Sequence, residues 1–132
     1  MQRGEVAFVE NRRDVHDLVE RYFSAMQRGR LGEEDVLALF TEDAVYAEPF
    51  SGGVHTGLDA IRAWLSASWE SAPRDLRLIV DRVEAAGDVV EAEWTCESPD
   101  FAQPARGHDR FTVRHGKIAR LESTLTQRPE LR

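Results

Sequence analysis

The sequence predicts an α+β fold, with helices on one side of a curved, mostly antiparallel sheet. Three observations lead to this prediction. Apolar residues recur at helical spacing between Val15 and Met26, and two shorter helical segments follow. From Asp75 onward apolar and polar side chains alternate, as in strands that bury one face. The last two long strands meet at a Gly-containing turn, His115-Gly116, which indicates a hairpin. Helices segregated to one side of an antiparallel sheet form an α+β layer.

The helices are predicted in the first half of the chain. The first begins at about Arg12, after a loosely held segment 1–11, and ends near Gly29. Its apolar stripe comprises Val15, Leu18, Val19, Tyr22, Phe23 and Met26. The second helix is predicted at Glu33–Phe40 and the third at Leu58–Ser71, ahead of a proline.

Strands are predicted on both sides of the third helix. A short strand at residues 44–48 stops at Pro49, because proline cannot donate to a strand ladder. Residues 41–43 before it are predicted to turn, and residues 54–57 to form a short strand or arm. The later segments are predicted as strands at 75–83 and 89–97, a loop at 98–105, the hairpin, and a short polar tail after 126.

Length and charge limit the class of protein. The 132 residues suit one domain, 1–132, in which residues 1–11 and 127–132 are peripheral. A formal charge of -7 argues against nucleic-acid binding, which needs a basic face. No apolar run is long enough to span a membrane, and the first residues lack a secretory signal. The expectation is a cytoplasmic protein without a membrane or nucleic-acid partner.

The sequence contains no motif for a bound cofactor or metal. Its single cysteine, Cys96, excludes an intrachain disulfide and fits a buried position in a strand. The four histidines show no metal-ligand spacing with one another or with Cys96. No phosphate loop, dinucleotide fingerprint or nucleophile elbow occurs. Any chemistry is therefore expected to use side chains alone, without a cofactor or metal.

Asp109 is the most informative residue in the chain. In the strand before His115-Gly116 it shares the apolar face with Phe111 and Val113, because every second side chain points to the same side. A carboxylate on the buried face is costly unless it is hydrogen-bonded, paired or protonated. Arg82 or Arg106 could serve as the paired partner.

The opposite face of this strand is polar and is expected to be solvated. Its basic residues would lie across from acidic residues of the preceding strand if the two pair antiparallel. The residues concerned are His108, Arg110 and Arg114 on one strand and Glu91, Glu93 and Glu97 on the other. This face could also serve as the surface of a homodimer.

Several segments together resemble the nuclear-transport-factor-2-like superfamily, over nearly the whole chain. They are Val19-Glu20-Arg21-Tyr22-Phe23-Ser24-Ala25-Met26, Leu39-Phe40-Thr41-Glu42-Asp43-Ala44-Val45, Glu48-Pro49, His108-Asp109-Arg110-Phe111 and Gly116-Lys117-Ile118. The branch they resemble most contains ketosteroid isomerases and SnoaL-like polyketide cyclases. The resemblance implies a cone, a cystatin-like α+β barrel whose strongly curved sheet is covered by three helices.

The resemblance also implies three catalytic residues. Tyr22 matches the family tyrosine in an Arg-Tyr motif, and Asp109 matches an aspartate two residues before a phenylalanine. Glu48 stands where the isomerases have an aspartate before a proline, so its carboxylate is one methylene farther from the backbone. By this resemblance Glu48 would be the base, and Tyr22 and a protonated Asp109 would donate hydrogen bonds to an enolate oxygen.

The implied function is a cofactor-free isomerase or cyclase that moves a proton next to a carbonyl. Apolar walls for a small apolar or aromatic carbonyl compound could come from Phe50, Trp64, Trp69, Trp94, Phe101 and Phe111. Two alternatives stay open: a non-catalytic module that binds a small apolar or aromatic ligand, and an epoxide hydrolase of the same fold. A homodimer is expected.

Overall fold

The computed structural model describes the backbone of residues 2–132 and the side chains of residues 14–132. The helices are α1 (Gln2–Gln27), α2 (Glu33–Ala38) and α3 (Leu58–Glu70), with a 3-10 turn at Gly29–Gly32. The strands are β1 (Phe40–Ala47), β2 (Val54–Thr56), β3 (Arg77–Ala86), β4 (Val89–Glu97), β5 (Phe101–Gln103), β6 (Ala105–Arg114), β7 (Lys117–Gln127) and β8 (Glu130–Leu131).

Six of the strands form one curved, open sheet in the order β2-β1-β7-β6-β4-β3. Neighbours pair antiparallel except for β1 and β7, which run parallel, so the sheet is mixed. The predicted α+β arrangement of helices and curved sheet is confirmed. In this order β7 lies between β1 and β6, so Glu48, just after β1, is on the same sheet as Asp109 of β6.

The predicted hairpin forms between β6 and β7. Arg114 pairs with Lys117, and the two turn residues have φ angles of 54° at His115 and 75° at Gly116. Two positive φ values favour glycine in the turn, which is why this pair marks a hairpin. Along β6, Asp109, Phe111 and Val113 are all buried, so the predicted strand phase is correct.

Several predicted boundaries are wrong. Helix α1 begins at Gln2 rather than near Arg12; whether the side chains of residues 1–11 are peripheral lies outside the described residues. Phe40 belongs to β1, and residues 41–43 continue that strand with a shift of register instead of turning. Residues 101–103 and 130–131, predicted as loop and tail, form the separate two-stranded β5–β8 sheet.

The polar face of β4 is also less uniform than predicted. Thr95 is in phase with Glu91, Glu93 and Glu97, whose face was expected to be solvated, but it is buried and donates to Asp81 at 2.6 Å. Glu91 pairs with Arg110 and Glu93 with His108 in the antiparallel register, as predicted. The third predicted pair does not form. Arg114 instead contacts Asp43 at 2.6 Å. The pairing of β4 with β6 begins at Val89, across from Thr112, so β4 does not extend far enough to lie across from Arg114.

The core lies between the concave face of the sheet and the helices. α1 contributes Val15, Leu18, Val19, Tyr22, Phe23 and Ala25, and the sheet contributes Val90, Ala92, Trp94, Phe111, Val113, Ile118 and Leu121. The side-chain amide of Gln27 joins α1 to the start of β3, donating to the Leu76 carbonyl at 3.1 Å and accepting from the Leu78 N–H at 2.6 Å. Among the described residues, no helix combines the length and apolar character that crossing a membrane requires.

Candidate active site

Asp109 is buried and held by two side-chain donors. Only 3% of the residue is exposed, and its Oδ1 accepts from Trp94 Nε1 at 2.9 Å and from the hydroxyl of Ser123. Ser123 lies directly across from Asp109 on β7, and Trp94 reaches it from β4. Both donors bind Oδ1, so Oδ2 has no side-chain partner among the described residues. Among the described residues no arginine pairs with Asp109, so neither Arg82 nor Arg106 is the predicted partner.

Burial makes the carboxyl of Asp109 a stronger proton binder than usual. Desolvation raises its pKa to about 6, against the lowering effect of the hydrogen bonds from Ser123 and Trp94. The predicted raised pKa is therefore found. Below about pH 6 the neutral acid prevails, and this form can donate a hydrogen bond. At pH 7 the carboxylate is the major form, so the family pattern of an acid that stays neutral at that pH is only partly reproduced.

The position of Trp94 depends on a glycine in the neighbouring strand. Gly107 lies directly across from Trp94, and a Cβ atom at Gly107 would come within 2.1 Å of the indole ring. The ring thus lies across the bare backbone of β6, with its N–H directed to Asp109 two residues further on. A residue with any side chain at position 107 would displace the ring.

Two tyrosine hydroxyls lie near Asp109. Tyr22 from α1 and Tyr46 from β1 are each 4% exposed. Burial raises the pKa of both, and the charge of Asp109 raises both further. A hydrogen bond between the two hydroxyls also acts on both groups. The Tyr22 ring packs edge-on against Phe111, with ring centroids 5.2 Å apart. The charge of Glu48 also raises the pKa of Tyr46.

Glu48 is buried at the end of β1 and held by the loop that follows. Its Oε1 accepts from the Ser51 hydroxyl at 2.8 Å, from the Gly52 N–H at 3.0 Å and from the Ser51 N–H. The loop itself is closed by the Glu48 N–H, which donates to the Gly53 carbonyl at 2.9 Å. All of these donors bind Oε1. Within the described part of the chain, Oε2 has no hydrogen-bond partner.

The loop keeps Glu48 ionised. Burial of the carboxyl tends to raise its pKa, but the hydrogen bonds from the Ser51 backbone and hydroxyl and from the Gly52 backbone outweigh burial and lower it. Glu48 and Asp109 therefore have pKa values shifted in opposite directions. The first is a carboxylate over a wide pH range, whereas the second becomes a neutral acid below about pH 6.

The structure brings some of the predicted wall residues to this cluster and leaves others away from it. Phe111 and Trp94 contact it directly, and Trp64 from α3 packs edge-on against Tyr46 with centroids 5.3 Å apart. Trp69 is half-buried against the core. Phe50 is 55% exposed, and Phe101 lines a separate cavity near the β5 strand.

Two surface cavities lie outside the cluster. One, of about 700 Å³, is a groove between α1 and β3 with Phe23, Leu78 and Val80 among its lining residues. The other, of about 390 Å³, lies near β5. Neither of these two cavities is lined by Glu48 or Asp109. A group of His16, Asp17 and Glu20 places possible metal-ligand atoms within 4.8 Å of one another, but Asp17 and Glu20 are exposed.

Two residues of the cluster were not predicted from the sequence. Tyr46 shares the face of β1 with Glu48, so strand alternation could have identified it. Ser123 carried no such signal, because its contact with Asp109 depends on the register between β6 and β7. The site that results contains two acids, two tyrosines, an indole N–H and a serine hydroxyl.

Comparison with known proteins agrees with the predicted fold. Residues 19–121 match the model of the SnoaL-like domain, a stretch that contains Tyr22, Glu48 and Asp109. The chain belongs to the SnoaL-like domain family. Within the wider classification it is a member of the nuclear-transport-factor-2-like superfamily, as the resemblance in the sequence indicated. No curated protein matches the chain.

Solved structures similar to this SnoaL-like protein carry several functional names. A protein from Kribbella flavida, assigned as a ketosteroid isomerase, aligns with a TM-score of 0.75 at 20% identity, over 92% of this chain and 84% of its own. A Sinorhizobium meliloti protein assigned as a polyketide cyclase aligns with a TM-score of 0.70 at 26% identity, over 82% of this chain and 94% of its own. An LEH-like epoxide hydrolase from M. tuberculosis aligns with a TM-score of 0.68 at 19% identity, over 85% of this chain and 82% of its own. The shared fold is that of small-molecule enzymes with different reactions.

Proposed function

We propose that the protein catalyses cofactor-free proton transfer next to the carbonyl of a small apolar or aromatic compound. Glu48 Oε2 takes a proton from the carbon beside the carbonyl, and the electron pair of that C–H bond moves toward the carbonyl oxygen. Hydrogen bonds from protonated Asp109 and from the Tyr22–Tyr46 pair stabilise the resulting enolate. Glu48 then returns the proton to another carbon, which gives an isomerised product. In a cyclisation the enolate carbon instead forms a bond to a second carbonyl carbon of the same molecule, and Glu48 returns the proton to the oxygen of that carbonyl.

The observation that carries this proposal is the opposite pKa shift of the two buried acids. A pair of carboxyl groups whose surroundings separate their pKa values can supply a base and an acid at the same pH. Glu48 has a lowered pKa, and Asp109 has a pKa of about 6. Each acid has one oxygen fixed by donors, Oε1 and Oδ1, which leaves the second oxygen available to a ligand.

The two tyrosines support the proposal because both are buried near Asp109. The pKa of Tyr46 responds to the charges of both Asp109 and Glu48, and Tyr22 is hydrogen-bonded to Tyr46. A hydroxyl with a raised pKa keeps its proton and therefore remains a donor at any pH at which Glu48 is ionised. Similar enzymes named isomerase and cyclase agree with this class of reaction but do not identify the substrate.

The pH dependence of the reaction follows from the roles of the two acids. Glu48 must be ionised, which sets an acid limb at its lowered pKa. Asp109 must be protonated, which sets an alkaline limb near its pKa of about 6. The rate is therefore bell-shaped, with its maximum on the acid side of neutrality.

Exchange of the α-protons of cyclohexenone in deuterated water, followed by NMR, tests the proposal. Glu48→Gln is expected to lower the protein-dependent exchange rate by about 100-fold or more, because a general base typically contributes that much. Glu42→Gln, an exposed acid of the same strand, is the matched control and should leave the rate unchanged. Exchange that persists in the Glu48 variant would remove the base from the proposal.

The alternative of a non-catalytic binding module is separated by the same experiment. A module would bind the enolate mimic β-naphthol with no protein-dependent exchange, in the native chain and in the variant alike. The epoxide hydrolase alternative needs a charged network around Asp109, and Arg82 instead contacts Glu84 and, at 3.9 Å, Glu93. A homodimer and a cytoplasmic location remain predictions.

A further inference from the structure

His55 carries a buried nitrogen whose hydrogen-bonding capacity is unused. It lies in β2, directly across from Tyr46 of β1. The residue is partly exposed, but Nε2 is buried and has no hydrogen-bond partner among the described residues. Burying a polar atom without a partner is costly, and native proteins retain such atoms rarely. An unsatisfied nitrogen beside the candidate site therefore indicates a partner that the protein itself does not supply.

The imidazole is held in place by two aromatic neighbours. Its centroid lies 6.4 Å from the Tyr46 ring and 5.7 Å from the Trp64 ring, at interplanar angles of 42° and 40°. Trp64 in turn packs edge-on against Tyr46. The rings of Tyr46 and Trp64 hold the imidazole in place, so the orientation of Nε2 is preorganised.

Nε2 also lies against the loop that holds Glu48. A Cβ atom at Gly53 would be 3.4 Å from His55 Nε2 and 3.3 Å from the Ser51 hydroxyl oxygen. The same hydroxyl donates to Glu48 Oε1. His55 and the base are thus attached to one loop.

We infer that His55 Nε2 is a ligand-binding atom that selects compounds carrying a second oxygen function, a hydroxyl or a second carbonyl, beyond the reacting carbonyl. The inference rests on the proposed function, since Glu48, Tyr46 and Asp109 define where the first oxygen binds. His55 then contributes to specificity by contacting the ligand, and takes no part in the proton transfer itself.

Binding of β-naphthol and of dihydroxynaphthalenes to the native chain and its variants tests the inference at pH 5. β-Naphthol offers one hydroxyl, and a set of dihydroxynaphthalenes offers a second hydroxyl at different ring positions. In the native chain, one of the diols should bind about tenfold more tightly than β-naphthol, the gain expected of one hydrogen bond. His55→Phe should abolish that gain while keeping the ring contacts, and His55→Gln should restore part of it. His16→Gln, on the exposed side of α1, is the control.

The outcomes separate this inference from the proposed function. If no diol binds more tightly than β-naphthol, or if the gain survives in His55→Phe, the role of His55 is refuted even where β-naphthol binds and Asp109→Asn weakens it. If the affinity for β-naphthol does not depend on Asp109 but a diol gains affinity through His55, the oxyanion role of Asp109 is refuted and the His55 contact is supported. If neither probe binds to the native chain, both are refuted.

Discussion

The indole N–H of Trp94 donates to Asp109 Oδ1 across 2.9 Å, at a position where the neighbouring strand has no side chain. This contact links a residue expected to be a hydrophobic wall to the protonation of the buried acid. Because the hydrogen bond favours the charged form of Asp109, it opposes the effect of burial on the pKa. Trp94 therefore helps to set the pH at which Asp109 becomes a donor.

Replacing the indole N–H should move that pH upward. Trp94→Phe keeps an aromatic ring but removes the donor, so the pKa of Asp109 should rise above its native value of about 6. The alkaline limb of the exchange rate should move to higher pH by the same amount, and an NMR titration of the Asp109 carboxyl should show it directly. Trp64→Phe, which contacts Tyr46 but not Asp109, is the matched control. An unchanged limb in Trp94→Phe would mean that another group controls it.

The glycine across from Trp94 should be intolerant of even one methyl group. Gly107→Ala would place a carbon 2.1 Å from the indole, so the ring must move. We expect a loss of about 1–3 kcal/mol in the free energy of unfolding, measured by urea denaturation, together with a change in tryptophan fluorescence.

A double variant separates this clash from a general effect on the strand. In Trp94→Val the space beside Gly107 is open, so adding Gly107→Ala to that background should cost much less than it does in the native chain. An equal cost in both backgrounds would show that the packing of Gly107 against Trp94 is not the cause.

Residue patterns predicted the parts of this site that depend on strand alternation. Asp109 is buried because it is in phase with Phe111, and Glu48 is buried because it is in phase with Tyr46. Both statements follow from the period of two in a strand. The helix order and the His115-Gly116 turn were also evident, because they depend on local spacing.

Contacts between distant segments could not be predicted in this way. The hydroxyl of Ser123 meets Asp109 through the register of β6 with β7, and the polar tail becomes a strand only because residues 101–103 are available to pair with it. Phe40 has the spacing of the preceding helix, yet it pairs with Ile118 in the sheet, where tertiary contacts override local preference. The orphaned Nε2 of His55 likewise depends on the packing of Tyr46 and Trp64.

The loop after β1 should control the acid limb of the rate. Ser51→Ala removes the hydroxyl that donates to Glu48 Oε1 at 2.8 Å while keeping both backbone donors. Because hydrogen bonds lower the pKa of Glu48, the variant should have a higher pKa at Glu48, and the acid limb should move to higher pH. Ser71→Ala, on a hydroxyl at the end of α3, is the control. The exchange rate of cyclohexenone between pH 3 and pH 6 gives the comparison, and a limb that stays in place would exclude this role for Ser51.

The buried acid should make the native chain less stable as the pH rises, which is the reverse of the usual effect of an aspartate. The pKa of Asp109 is raised from 3.8 in the unfolded chain to about 6 in the fold, so its stabilising contribution is complete below pH 3.8 and is lost as the pH rises through 6. That difference corresponds to about 3 kcal/mol.

Asp109→Asn does not titrate. Its free energy of unfolding relative to the native chain should therefore increase by about 2 kcal/mol between pH 4 and pH 7, as measured by urea denaturation. Asp88→Asn, at an exposed turn, should show no such change. If the stability difference between Asp109→Asn and the native chain is independent of pH, the carboxyl of Asp109 is not a raised-pKa acid and cannot serve as the neutral donor.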